Sequence, residues 1–164
     1  MQNKNIFYLN YNFKTISMLI LLTILPNLLG MINLPIVFGF KIHLFQYAIF
    51  IAAMTYGPLG GLISGGFGSM FSAFVMHNPY IVVGNMILGF VIGLLVRKKL
   101  NIILAVLIAY TIQMPWLFVT DVYLVGMPIS VVYSLMIALL ISNIIWAVAA
   151  KYTLKWNGKN FFQD

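Results

Sequence analysis

Few side chains in this chain are equipped for chemistry. Its 164 residues hold two acids, Asp121 and Asp164, two histidines, His43 and His77, and no cysteine. General acid–base catalysis needs paired titratable groups in separated environments, and this set is thin for it. There is no H-E-x-x-H, no Ser–His pair of recognisable spacing and no P-loop. GPLGGLISGGFG (57–68) is glycine-rich, but no Lys-Ser or Lys-Thr follows it. It therefore reads as helix packing, and the chain is expected to have no ATPase of its own. Without cysteine there is no disulfide framework and no thiolate metal site. No metal, no cofactor and no enzymatic activity are expected. What remains is recognition chemistry: side-chain amides, isolated charges and aromatics with polar tips.

Those groups sit in a chain that is 63% hydrophobic and 7% charged, with a mean hydropathy of +1.04. A soluble domain needs far more charge to hydrate its surface, so the solvent is a bilayer. The net charge of +7 would suggest nucleic acid in a soluble protein. Here Lys and Arg gather at the ends of apolar spans instead. The first residues, MQNKNIFYLNYNFK, are polar and aromatic, and no small-x-small site follows the first span. They are expected to be retained rather than cleaved as a signal.

A membrane helix needs roughly 20 apolar residues, with about 17 as the lower limit. Six spans meet or approach that, at about 15–30, 42–56, 59–76, 80–96, 102–119 and 129–150. The expectation is an all-α integral membrane protein, six transmembrane helices in one compact bundle over 1–164. Pro26 in the first span frees a carbonyl, which is tolerable only against protein or water. The apolar link INLPIVFGFK should fold back onto the bundle. Gly57, Gly61, Gly65, Gly68 and Ser72 recur at helical spacing on the third span, and Asn85, Gly89 and Gly93 on the fourth. Such faces let helices approach closely in lipid.

Basic residues near span ends favour the cytoplasm. With six spans, Lys4, Lys14, Arg97, Lys98, Lys99, Lys151, Lys155 and Lys159 share the side of both termini, and Lys41 stands alone opposite. Both termini are thus expected in the cytoplasm of a cell-membrane protein. Sorted by depth, the polar groups lie mostly in the outer half, making a cup that is wet outside and closed inside. Polar groups in a membrane are costly unless they face a cavity or one another. The candidate substrate contacts are Lys41, His43, Gln46, His77, Asn78, Tyr80, Asn85, Gln113, Trp116, Asp121, Tyr123 and Tyr133. Each has an ordinary alternative. Lys41 would anchor at the interface, and Asn78 would serve its own turn. Asn85 and Gln113 would bond neighbouring helices, Asp121 would pair with Lys41 or His77, and the aromatics would form the interfacial belt.

The central stretch resembles the substrate-binding S component of energy-coupling factor (ECF) vitamin transporters. The residues that carry the resemblance are KIHLFQYAIFIAAMTYGPLGGLISGGFGSMFSAF, with its Gly57-Pro58, then HNPYIVVGNMILGFVIGLLVRK and GMPISVV. The resemblance implies a binding subunit that takes a vitamin or related heterocycle from outside. It implies partners too: a transmembrane coupling subunit and two cytosolic ATPase subunits. It places the pocket at 34–43, at 77–80, and around Asn85, Gln113, Trp116, Asp121, Tyr123 and Tyr133. First spans of the family often carry Ala-x-x-x-Ala for docking. This one has no alanine, so the glycine-spaced third span is the other candidate face. Lys41 and Asp121 together with aromatics would suit a flat heterocycle, neutral or zwitterionic. The other readings are a small oligomeric membrane channel and an enzyme acting on a lipid-linked substrate.

Overall fold

The structure is a computed structural model that describes residues 7, 9, 12–32, 34, 35 and 41–156. The described chain is helical apart from one short ladder. The helices are α1 (Phe13–Gly30), α2 (Phe45–Gly68), α3 (Met70–Val75), α4 (Tyr80–Arg97), α5 (Ile102–Val119) and α6 (Ile129–Trp156). A π-helical turn, Thr120–Leu124, extends α5. Between α1 and α2, β1 (Leu34–Pro35) pairs antiparallel with β2 (Lys41–Ile42). That ladder lies in and just after the link expected to fold back; residues 33 and 36–40 of the link lie outside the described residues.

Five segments are long and apolar enough to cross a membrane: Phe13–Gly30, Phe45–Val75, Tyr80–Arg97, Ile102–Leu124 and Ile129–Lys155. The fold is that of a multi-pass membrane protein by length and composition. The expected spans 42–56 and 59–76 fall mostly within Phe45–Val75. They are two helical arms that meet in YGPLGG at one non-helical residue, Gly57, at φ 70 and ψ −154. A positive φ of this kind is open to glycine and strained for other residues.

That single residue turns the chain back on itself. A methyl placed on Gly60 would lie 2.8 Å from the Ala52 carbonyl oxygen, and one on Gly61 would lie 3.0 Å from Ala53 Cβ. In a straight helix, residues eight apart are about 12 Å from each other along the axis. The arms 45–56 and 58–68 therefore pack side by side. The first arm rises only about 18 Å. It is the centre of the bundle: Ala48, Ile49, Phe50, Ala52 and Ala53 are fully buried. Of the apolar stretch in Phe45–Val75, 72% is buried, against 17% in α1. Much of α1, α5 and α6 presents Ile, Leu and Met outward, as lipid-facing helices do.

The second arm holds its neighbours by backbone contact. Gly61 meets the Gly89 backbone, Gly65 meets the Asn85 carbonyl, and Gly93 meets Gly57 and Pro58. The two glycine faces seen in the sequence are thus one antiparallel seam. On the other flank, α1 runs parallel to this arm. Pro26 leaves the Leu22 carbonyl without its helical donor, and the Ser64 hydroxyl donates to that oxygen at 2.6 Å. One turn on, α2 ends at Gly68 and α3 begins at Met70. Asn27 bridges the break: its Nδ2 donates to the Phe67 carbonyl at 2.8 Å, and its Oδ1 accepts from the Phe71 amide at 2.8 Å. The side chain stands in for the missing helical bond between those two groups. Asn27→Leu should therefore cost about 2 kcal/mol of stability. Thermal unfolding in micelles tests this, and an unchanged midpoint would contradict the bridge.

Candidate functional site

The open ends of α1 to α6 enclose a cavity of about 420 Å³. It lies at the end of α4 and α6 remote from Arg97, Lys98, Lys99, Lys151 and Lys155, which are all exposed. His43 and Phe45, at the head of the first arm, line it together with Phe71, Ser72 and Asn78 beyond the second arm. Both arms of the hairpin thus return to one end, and the cavity stands over the short central arm.

Four polar side chains on the lining are nearly inaccessible to solvent: Asn78 and Asp121 at 1%, Asn85 and Gln113 at 4%. Asn78 reaches across to Asp121, its Nδ2 donating to Oδ1 at 2.7 Å. Its own Oδ1 accepts from the Tyr80 amide at 3.1 Å and so satisfies an open donor at the start of α4. Asp121 sits in the π-helical turn, where the Val125 amide reaches back five residues to the Thr120 carbonyl at 2.9 Å. Its own carbonyl accepts from the Met127 amide at 2.9 Å. Such turns re-aim a side chain within a helix and recur at functional sites. Asn85 Nδ2 donates to the Ile81 carbonyl at 3.1 Å, which leaves its Oδ1 open to the cavity. Gln113 lines the cavity with no hydrogen bond to a described residue. Gly84 makes room for it: a methyl there would stand 3.3 Å from Gln113 Nε2.

His43 joins the lining. Its backbone amide donates to the Ser142 hydroxyl at 3.0 Å, and its ring meets Phe45 edge-on at 5.6 Å. The remaining sequence candidates are placed elsewhere. Gln46 is buried on the central arm, off the cavity lining, and its Oε1 has no partner. His77, at φ 50, points onto an outer groove with Phe74 and Pro79. Adjacent residues in one tight link thus face opposite ways. Trp116 Nε1 donates to the Tyr80 carbonyl at 3.1 Å, and the two rings meet at 6.4 Å, bracing α5 against α4 behind the cavity. Tyr123 and Tyr133 are 71% and 54% exposed and flank Phe118 on the outer surface. The side chain of Lys41 lies outside the described residues. Among the described side chains, the partner of Asp121 is the Asn78 amide and not His77; the expected pairing with Lys41 falls outside them.

Sequence reasoning missed the walls. Phe45, Phe71, Leu117 and Leu139 line the cavity, as do Ser72 and Ser134. Apolar residues in an apolar span carry no signal of which way they face. Ser134 had a weak one, following Ser130 by one turn. Among the described residues, no three His, Asp or Glu side chains come together. The site therefore offers amides, a carboxylate and an imidazole between aromatic and aliphatic walls. Compared with known protein families, curated proteins and solved structures, the chain matches none.

Proposed function

We propose that this chain is the substrate-binding S component of an ECF-type transporter. In this reading it crosses the membrane six times, with the turn at Gly57 and both termini in the cytoplasm. It takes a vitamin or vitamin-like heterocycle from outside and hands it to a coupling subunit driven by two cytosolic ATPases. The observation that carries the reading is a cavity lined by buried amides and a carboxylate at the end of the bundle remote from the basic residues. That is how a membrane receptor for a small polar molecule would be built. The hairpin at Gly57 supports six passes, because it makes two antiparallel arms of one helical segment. The basic ends support the orientation.

Protein purified in mild detergent is expected to carry a small heterocycle in near-stoichiometric amount, released on denaturation and identified by mass spectrometry. It is also expected to co-purify with a coupling subunit when the two are expressed together. Protein that retains nothing, binds no coupling subunit and conducts ions in liposomes would overturn the reading in favour of a channel.

A further inference from the structure

Among the described residues, the cavity carries an imbalance of charge. Asp121 is the one acid among the described residues. It is 1% exposed, it faces the cavity, and it forms no ion pair with a described residue. A neutral amide, Asn78, is its single side-chain donor. No lysine or arginine is among the described lining residues, and His43 is the other titratable group on the wall. A buried carboxylate without a compensating positive charge is expensive, in a membrane protein above all. Beside it stands a second unmet demand: the Gln113 amide, 4% exposed and unbonded, on the same α5 face two turns earlier. Phe45 and Phe71 supply flat apolar wall between the polar points.

We infer that the cavity selects flat organic cations whose charge is borne by N–H donors, such as amidinium or amino-heteroaromatic cations. Asp121 supplies the counter-charge, and Gln113 reads a neutral edge of the same molecule. Anions of similar shape are rejected. It differs from the neutral or zwitterionic ligand expected from the sequence, which counted Lys41, whose side chain lies outside the described residues. It rests on the reading of the cavity as a substrate pocket.

The probes are three isosteres that differ in charge: benzamidine, benzamide and benzoate. Each is titrated at millimolar concentration into the full-length protein in nanodiscs, with binding followed by saturation-transfer NMR. Benzamidine is expected to bind about tenfold or more tightly than benzamide, and benzoate not at all. Asp121→Asn keeps an oxygen for the Asn78 bond and should fold. It is expected to erase the benzamidine advantage, while Asp121→Glu keeps part of it. Equal or tighter binding of benzamide or benzoate would overturn the inference. So would an advantage that survives in Asp121→Asn, or no binding by any of the three. The mass-spectrometric assay separates the two levels. A retained neutral or anionic molecule overturns the charge selection and leaves the transport reading standing. Selective benzamidine binding by a chain that engages no coupling subunit does the reverse.

Discussion

Gly61→Val is expected to abolish the folded bundle or lower its unfolding temperature by more than about 6 °C. A side chain at this position lands on the Gly89 carbonyl, and one at Gly89 lands on the Gly61 carbonyl. Backbone lies on both sides, so no side chain can move aside. The helices must part, and the seam then loses its neighbouring contacts at Gly65–Asn85 and Gly93–Gly57. Overpacking costs about 1–3 kcal/mol where side chains can adjust; here the cost belongs at or above that upper end. Lipid offers no hydrophobic compensation, because helix association in a bilayer depends on close packing. Gly66→Ala is the internal control. A methyl there meets the Met86 side chain, 3.0 Å from its Cγ, and a flexible thioether can yield. Tryptophan fluorescence during heating in micelles measures both variants. Equal midpoints for the two would refute the seam.

Asn78→Asp is expected to destabilise the protein by about 3 kcal/mol, and the exchange of partners to recover most of that. The single change keeps an oxygen for the Tyr80 amide but sets a carboxylate against the Asp121 carboxylate, 2.7 Å from the present donor. A charge-assisted bond worth about 1.5–3 kcal/mol becomes a repulsion. In Asn78→Asp with Asp121→Asn, the oxygen at 78 still satisfies α4, and the amide at 121 donates back across the gap. The cycle of two single variants and the double should show a coupling of about 2 kcal/mol or more. Additive losses would mean that the two side chains do not depend on each other.

The parts of this molecule that could be read in advance are those where one residue type has few uses. Glycines spaced by four in an apolar span serve close packing, and the structure pairs the two glycine faces directly. YGPLGG reads as a link, and the chain does reverse there. It does so at one non-helical residue, Gly57, with a helical arm on either side. Amides within apolar spans, and an amide and an acid in the short links between them, must find a partner or a cavity. Asn78, Asn85, Gln113 and Asp121 do gather around one. The reading was weakest for residues with two equally good homes. Tyr123 and Tyr133 carry polar tips that suit either a cavity or the membrane interface, and they take the outer surface. His77 and Asn78 are neighbours, and only the left-handed backbone at His77 decides which turns inward. That Asn27 splices a broken helix depends on α3 starting where it does.

The central arm, with its rise of about 18 Å, ends well short of a hydrocarbon core about 30 Å thick. In the proposed orientation the cavity fills the space above it, and water there would bring the outer electrical potential down to the arm's first turn. The membrane voltage would then fall over the shortened path beneath the cavity, and a charged molecule seated against Asp121 would stay close to the outer potential. The full drop is worth about 2.3 kcal/mol per unit charge at 100 mV. Nearly all of that would be concentrated across the arm's rise of about 18 Å, and little of it would act on the bound molecule. A cation would then be held about equally in an energised and a depolarised cell, and the voltage would act on it only as it leaves the seat for the inside.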